Sequence, residues 1–411
     1  MRRIIWSVCC ACAAVIVGTG CSVAGKKLVN ANTTLASEQI KTQLDAVGDP
    51  TGKNFPRRTS DQGKLQTSGM NDWTSGFFPG SLWYLYELTG DGFWRDKAEQ
   101  WTASLEPVKK NTGTHDIGFM MYCSYGNAER LAPDPSYKDI LIESANSLCT
   151  RYNDKTKTIK SWNGGRSWGG IRWEYPVIID NMMNLELLFY ASKVTGDNKY
   201  RDIAVTHANT TLKNHLRDDF TTYHVVNYDQ NTGEVLQRQT CQGLSDNSTW
   251  SRGQAWAVYG YTVMYRETKD PVYLNAAEKT AQWFIDHLPE DMVPYWDFNI
   301  GMDGYKPDSG SYAAKQDVTS RDASASAVVC SALFELADLA NKPYYRKVAV
   351  KMLESLSSQE YFAKPGENGG FLIKHCTGSV PHKAEIDVAL VYADYYYLEA
   401  LVRYNNLINR K

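Results

Sequence analysis

Two aspartates stand in short motifs of unusual content, His115-Asp116-Ile117-Gly118-Phe119 and Asp180-Asn181-Met182-Met183-Asn184. Two further motifs, Asn71-Asp72-Trp73-Thr74 and Trp250-Ser251-Arg252-Gly253-Gln254-Ala255-Trp256, supply tryptophan and arginine. A pair of carboxylates is the basic kit for cleaving or hydrating sugars, because one group donates a proton while the other orients water or stabilises positive charge. An apolar neighbourhood raises a carboxyl pKa, and Asp180, between Val177-Ile178-Ile179 and Met182-Met183, has the better setting for a proton donor. Asp116, beside His115, would more easily stay charged. Each motif reads as the start of a helix, where an aspartate has an ordinary alternative role, capping free backbone N–H groups. The convergence of both with Trp, His and Arg on one rim argues for chemistry instead.

That convergence rests on a repeat. Thr89-Gly90-Asp91-Gly92-Phe93-Trp94-Arg95-Asp96-Lys97-Ala98 aligns without gaps to Thr195-Gly196-Asp197-Asn198-Lys199-Tyr200-Arg201-Asp202-Ile203-Ala204, and looser copies begin at Asp134, Asp270 and Lys342. Helically spaced apolar residues flank each copy, as in Met182, Leu185, Leu188 and Phe189 before one and Ala98, Trp101 and Leu105 after another, while strand-like alternation is nearly absent. Each copy is therefore the turn of a helix hairpin. Five hairpins, with a sixth supplied by a helix near 35–47 and the last helix near 386–404, predict twelve helices closing into an all-α, six-hairpin (α/α)6 barrel. An open solenoid is the alternative. Trp73, Asp116 and Arg252 each stand 21 residues before the aromatic of the next turn, Asp180 stands 20 before and Asp322 23 before. Similar spacing means similar height, so all five should sit at one mouth, opposite the turns.

The 411 residues carry a formal charge of −2 with Lys and Arg scattered, which gives no polybasic patch and speaks against nucleic acid as a partner. Met1-Arg2-Arg3 and the mostly apolar run to Val17 read as an export signal over residues 1–20, too short and too interrupted for a mature membrane span. Small residues before Cys21 resemble a lipoprotein cleavage box, although Gly18 stands where leucine is usual; plain secretion is the alternative. The expectation is an exported protein, periplasmic or held at the outer membrane by a lipid on Cys21, with a linker over 21–34 and a single catalytic domain over 35–411. Five cysteines remain in that body, Cys123, Cys149, Cys241, Cys330 and Cys376, odd in number and widely spaced, which indicates neither a disulfide framework nor a zinc site.

Taken together, Trp73-Thr74-Ser75-Gly76-Phe77, the Asp116 and Asp180 motifs, the Trp250–Trp256 motif and the closing Glu385-Ile386-Asp387-Val388 through Asp394-Tyr395-Tyr396-Tyr397 resemble the unsaturated glucuronyl hydrolases of glycoside hydrolase family 88. The resemblance implies an (α/α)6 barrel and a reaction without metal or other cofactor on the 4,5-unsaturated uronic acid that polysaccharide lyases leave at a non-reducing end. It implies that Asp180 protonates C4 and activates the water that adds at C5, with Asp116 in support. It implies Trp73, Trp256 and Trp162 as walls for the sugar, and His115, His224, Gln242 and Arg252 as polar contacts, Arg252 for the substrate carboxylate. His207 and His215 read as structural, and Ser379, His382 and Lys383 form a polar loop that could meet the next sugar. Three alternatives stand beside this reading: an unsaturated rhamnogalacturonyl hydrolase acting on pectin fragments, an epimerase, which would need paired histidines, and a non-catalytic lipoprotein that captures glycans.

Overall fold

The structure, a computed structural model, describes residues 11–410, with side chains from residue 23 onward. Residues 1–10 of the expected export signal, and the side chains of the rest with that of Cys21, lie outside what is described.

Twelve helices alternate between an inner and an outer ring. The outer set is α1 (Ala11–Val47), α3 (Gly92–Ala103), α5 (Pro135–Cys149), α7 (Asn198–Asn214), α9 (Pro271–Asp286) and α11 (Pro343–Leu356). The inner set begins with α2 (Phe77–Thr89) and α4, which runs from Ile117–Met121 through a π turn at Tyr122–Gly126 into Asn127–Leu131. It continues with α6 (Leu185–Thr195, entered through a 3-10 turn at Ile179–Asn184), α8 (Ser251–Thr268), α10 (Ala323–Leu339) and α12 (Val391–Asn409). Each inner helix packs on the next, and α12 returns to α2, so the ring is closed rather than an open solenoid. α1 lies against α12, the last inner helix, and completes the sixth hairpin from the two ends of the chain.

The repeated segments are the hairpin turns, and their chemistry explains the repeat. Gly90 and Gly196 take left-handed φ values of 67° and 73° at the C-caps of α2 and α6, a conformation that favours glycine. Asp91, Asp134, Asp197 and Asp270 then each accept a hydrogen bond from the backbone N–H two residues on, capping the following outer helix. Inner helices are buried on nearly every face, with the first 14 residues of α8 all buried, whereas the outer helices bury one stripe. Two turns below the start of α12, Glu399 accepts hydrogen bonds from Tyr84 (2.8 Å), Tyr259 (3.0 Å) and Ser331 (2.6 Å). One carboxylate thereby ties α2, α8, α10 and α12 together across the barrel axis.

One expectation needs correction. Residues 21–34 are not a linker: they continue α1, and Val29 and Asn32 are buried. Strands are also present at the mouth, in four small sheets, the largest of three strands, 175–178, 225–228 and 235–239. Their strands are two to five residues long, too short for an alternation pattern to show. Among the described residues none of the five cysteines is paired; Cys123, Cys330 and Cys376 are buried and Cys149 and Cys241 partly so. No described helix is long and apolar enough to cross a membrane.

Candidate active site

The helix starts that the spacing placed at one height surround a cavity of about 540 Å³ at the mouth opposite the repeated turns. Trp73 precedes α2, Asp116 stands at the N-terminus of α4, Asp180 lies in the 3-10 turn before α6, and Arg252 is the second residue of α8; all four line the cavity. His115, Trp162 and Gln242 line it as well.

Neither central aspartate caps a helix. Asp116 makes no capping hydrogen bond; its Oδ2 accepts from Thr114 Oγ1 at 2.7 Å and its Oδ1 lies 3.2 Å from His115 Nε2. Asp180 is buried, and its Oδ2 has no hydrogen-bond partner. Burial raises its pKa to about 7; Arg252 pulls it down and the charge on Asp116 pushes it up again. By contrast Asp322, at the same height, is an ordinary cap, accepting from Ser324 N at 3.1 Å while its other oxygen takes Arg252 at 2.6 Å.

The two aspartates are held at a fixed separation by a close helix contact. A Cβ at Gly118 would lie 2.5 Å from Asn184 Oδ1 and 2.6 Å from Asn184 Cα, so only glycine lets the Asp116 and Asp180 elements meet. Asn184 Oδ1 accepts from Phe119 N at 2.8 Å and locks that approach.

His224 and Trp256 are not placed as sugar contacts. His224 is 3% exposed, packs at a tilt against Trp250 at 4.4 Å, and faces Asp180 Oδ2 with Nε2 at 3.8 Å. Its Nδ1 accepts from both Cys241 N (3.1 Å) and Gln242 N (3.2 Å), which fixes the proton on Nε2, and burial pushes its pKa well down. It is thus a neutral donor directed at the Asp180 carboxyl from behind the cavity wall. Trp256 is fully buried beneath the site, against Phe119 (5.4 Å) and Tyr396 (5.7 Å), and its indole N–H has no hydrogen-bond partner. Both were expected to meet substrate; neither lines the cavity, His224 lying behind its wall and Trp256 one turn below the mouth on its helix.

Arg252 differs from expectation in detail. Its guanidinium donates to Asp322, to Thr377 O (2.5 Å) and to Gly378 O (2.5 Å), and Gln242 Nε2 also donates to Gly378 O at 3.0 Å. Much of its hydrogen-bonding capacity therefore holds the loop over 374–390 against the barrel. Of the three tryptophans in the 162–173 loop, Trp162 and Trp173 line the cavity, stacked at 6.0 Å, while Trp168 is exposed outside it. Arg151 holds that loop, donating to Thr112 O, Lys160 O, Ser161 O and Asn163 Oδ1. Sequence reasoning did not single out Arg57, Glu385 or Tyr392 for the site, yet all three line it. Arg57 lies on an N-terminal hairpin outside the helical repeat, so spacing had no means of finding it. His207 and His215 are buried away from the cavity, bonded to Ile159 N and Val177 O.

The model of Glycosyl Hydrolase Family 88 matches residues 49–407. An unsaturated glucuronyl hydrolase of Formosa agariphila is 50% identical over 367 residues, 88% of each chain. An unsaturated chondroitin disaccharide hydrolase of Streptococcus pyogenes serotype M1 is 32% identical over 378 residues, 90% of this chain and 89% of the other. Among solved structures, an unsaturated glucuronyl hydrolase specific for heparin superposes with a TM-score of 0.84 at 43% identity, covering 93% of this chain and 98% of that one. A Streptococcus agalactiae unsaturated glucuronyl hydrolase mutant complexed with dGlcA-GalNAc6S gives 0.74 at 30% identity, covering 91% and 90%.

Proposed function

This chain belongs to glycosyl hydrolase family 88, and from that footing we propose that it removes a 4,5-unsaturated uronic acid from lyase-generated glycosaminoglycan fragments, with Asp180 as the proton donor. The observation that carries the assignment of roles is the Asp180 carboxyl: buried, without a partner on Oδ2, and poised near pKa 7 on the wall of a cavity that also holds the Asp116 carboxylate and the Trp73 ring.

The reaction follows from those groups. The protonated Asp180 gives its proton to C4 of the enol ether, and positive charge develops at C5 and the ring oxygen. The Asp180 carboxylate so formed takes a proton from the water that adds at C5, so the residue ends the step as it began. His224 Nε2–H, facing Oδ2, can stabilise the transient carboxylate, and Asp116 supplies negative charge towards the oxocarbenium-like centre. The C5 hemiketal then opens to a ketone and the glycosidic linkage falls apart. Ring walls come from Trp73 and Trp162, whose aromatic faces suit a sugar.

The test is to offer unsaturated disaccharides from heparin, chondroitin, hyaluronan and pectin and follow loss of the ultraviolet absorbance of the conjugated double bond. A glycosaminoglycan-derived disaccharide should be consumed, and Asp180→Asn should abolish turnover while keeping binding. Preference for the pectin fragment would assign the rhamnogalacturonyl reaction instead. Full activity in Asp180→Asn would refute the mechanism.

A further inference from the structure

An aromatic step stands on the outer lip of the catalytic cavity. Part of the cavity wall is a hairpin whose strands pair Gly165 with Trp173 and Arg166 with Arg172. Gly165, Arg166 and Trp173 line the cavity, whereas Trp168, at the hairpin's tip, does not. Among the described tryptophans Trp168 alone is exposed, at 38%, and its ring stacks on that of Tyr312, exposed at 39%. The two rings lie 4.9 Å apart with planes 8° from parallel. On another side the Trp168 ring meets the His382 ring at 4.9 Å, and His382 does line the cavity. The aromatic pair therefore continues the cavity surface outward across the rim.

Leaving two large aromatic rings side by side in water forgoes the stabilisation that burial would give them, and loose loops do not explain it. Trp168 Nε1 donates to Cys241 O at 2.9 Å, and Ser167 Oγ accepts from Ile171 N at 3.0 Å to close the hairpin tip. Tyr312 sits between Ser311, whose hydroxyl donates to Leu244 O, and the buried Ala313. His382 Nδ1 lies 2.6 Å from Ser379 Oγ. Three segments distant in sequence are each fastened so that their rings meet at one place. The charges around them are mainly positive. Arg166 and Arg172 flank Trp168 on its hairpin and Lys383 adjoins His382, all three exposed, with Glu174 the exposed carboxylate on that side. Asp246 and Asp308, which share a small recess with the two rings, already accept from Thr240 N, Ser245 Oγ and Asn247 N.

Asp180 and Arg252 stand at the buried end of the cavity, so a chain that reacts at its non-reducing end must run outward from them and carry its later residues past the rim. Uronate and hexosamine alternate in glycosaminoglycans, so the third residue is again acidic. We infer that the Trp168–Tyr312 step binds the third sugar of a longer unsaturated fragment, with Arg166, Arg172 and Lys383 answering its charge. This rests on the proposed activity and adds to it a preference for chain length, tetrasaccharide over disaccharide. An aromatic surface suits the apolar face of a sugar ring, and a rim of unlike charge favours an anionic chain.

The discriminating experiment compares unsaturated disaccharides and tetrasaccharides from heparin and chondroitin digests on the parent, Trp168→Ala, Trp168→Phe and Tyr312→Ala. The parent should show the lower KM on the tetrasaccharide. Trp168→Ala should raise that KM by about fivefold, the scale of one aromatic contact, and change the disaccharide KM by less than about twofold. Tyr312→Ala should give a smaller rise with the same dependence on length, and Trp168→Phe should recover part of the loss. Because both lengths are measured on the same variant, a fold defect cancels. Equal losses on the two lengths would overturn the proposal, as would a tetrasaccharide KM unchanged in Trp168→Ala. Calorimetric titration of Asp180→Asn, with and without Trp168→Ala, should show the same length-dependent difference in Kd without turnover. If the parent consumes neither compound, the proposed activity fails, and the titration alone then decides whether the step binds sugar: a Kd for the tetrasaccharide that Trp168→Ala leaves unchanged would sink it.

Discussion

Asp180 owes its chemistry to a hydrophobic setting rather than to a charged partner. Burial is the largest influence on its carboxyl, and Arg252 offsets only part of it. An acid with a free-enzyme pKa of about 7 must be protonated to act, so kcat/KM should be high on the acid side and fall as pH rises through about 7. A profile flat to pH 9 would rule out Asp180 as the donor. The same shift has a consequence for stability. Between the ordinary value of 3.8 and about 7 the folded protein holds a proton that the unfolded chain releases. Stability therefore falls as pH rises across that window and stays lower above it. Asp180→Asn removes the charge that burial disfavours, so it should melt above the parent at pH 8, by an amount on the order of a few kcal/mol, and about level with it at pH 4. Thermal melts at the two pH values check this, and a lower melting temperature at pH 8 would contradict it.

The placement of the two aspartates is a property of elements. Asp116 and Asp180 belong to adjacent inner helices whose starts touch at Gly118 and Asn184. A methyl group at Gly118 must push these elements apart, because the atoms it meets include backbone. Gly118→Ala should thus lower kcat by about a hundredfold, the scale of a 1 Å misplacement of reacting groups, and lower stability by about 1–3 kcal/mol as an overpacked contact. Gly92→Ala is the control: it sits at the far mouth with no atom within 4 Å of the added carbon, and should leave both quantities unchanged. Equal kinetics for the two variants would mean that the Gly118 contact does not set the catalytic spacing. At this scale the sequence was partly legible. Gly118 is visible in the motif, but its partner Asn184 lies on the next inner helix, and the repeat gives the height of each helix start without giving the distance between neighbours.

At the scale of the whole molecule, α1 brings the start of the chain against α12 and covers the last inner helix. Val29, Ala36, Ile40 and Leu44 are buried, and Gln39 donates to Glu367 O and Phe371 O while accepting from Gly366 N. A chain beginning at residue 48 should lose cooperative folding, one beginning at residue 35 should melt a few degrees low, and one beginning at residue 23 should match the full-length protein. Melting curves of the three decide it; an unchanged midpoint for the shortest chain would show that the barrel closes without α1. The twelve-helix count, the hairpin turns and the shared height of Trp73, Asp116, Asp180 and Arg252 could be read from the sequence alone, because left-handed glycines, aspartate caps and helical periodicity are local and repeat. What needed the tertiary structure was every relation between segments that no repeat connects. The proton on His224 is fixed by two amides just after the rim strand 235–239, Trp256 is turned under the site by helix phase, Arg252 is claimed by the 377–378 carbonyls, and Arg57 arrives from a hairpin outside the barrel. Periodicity sets how far along a helix a residue lies, whereas side-chain partners and burial arise only when distant segments pack.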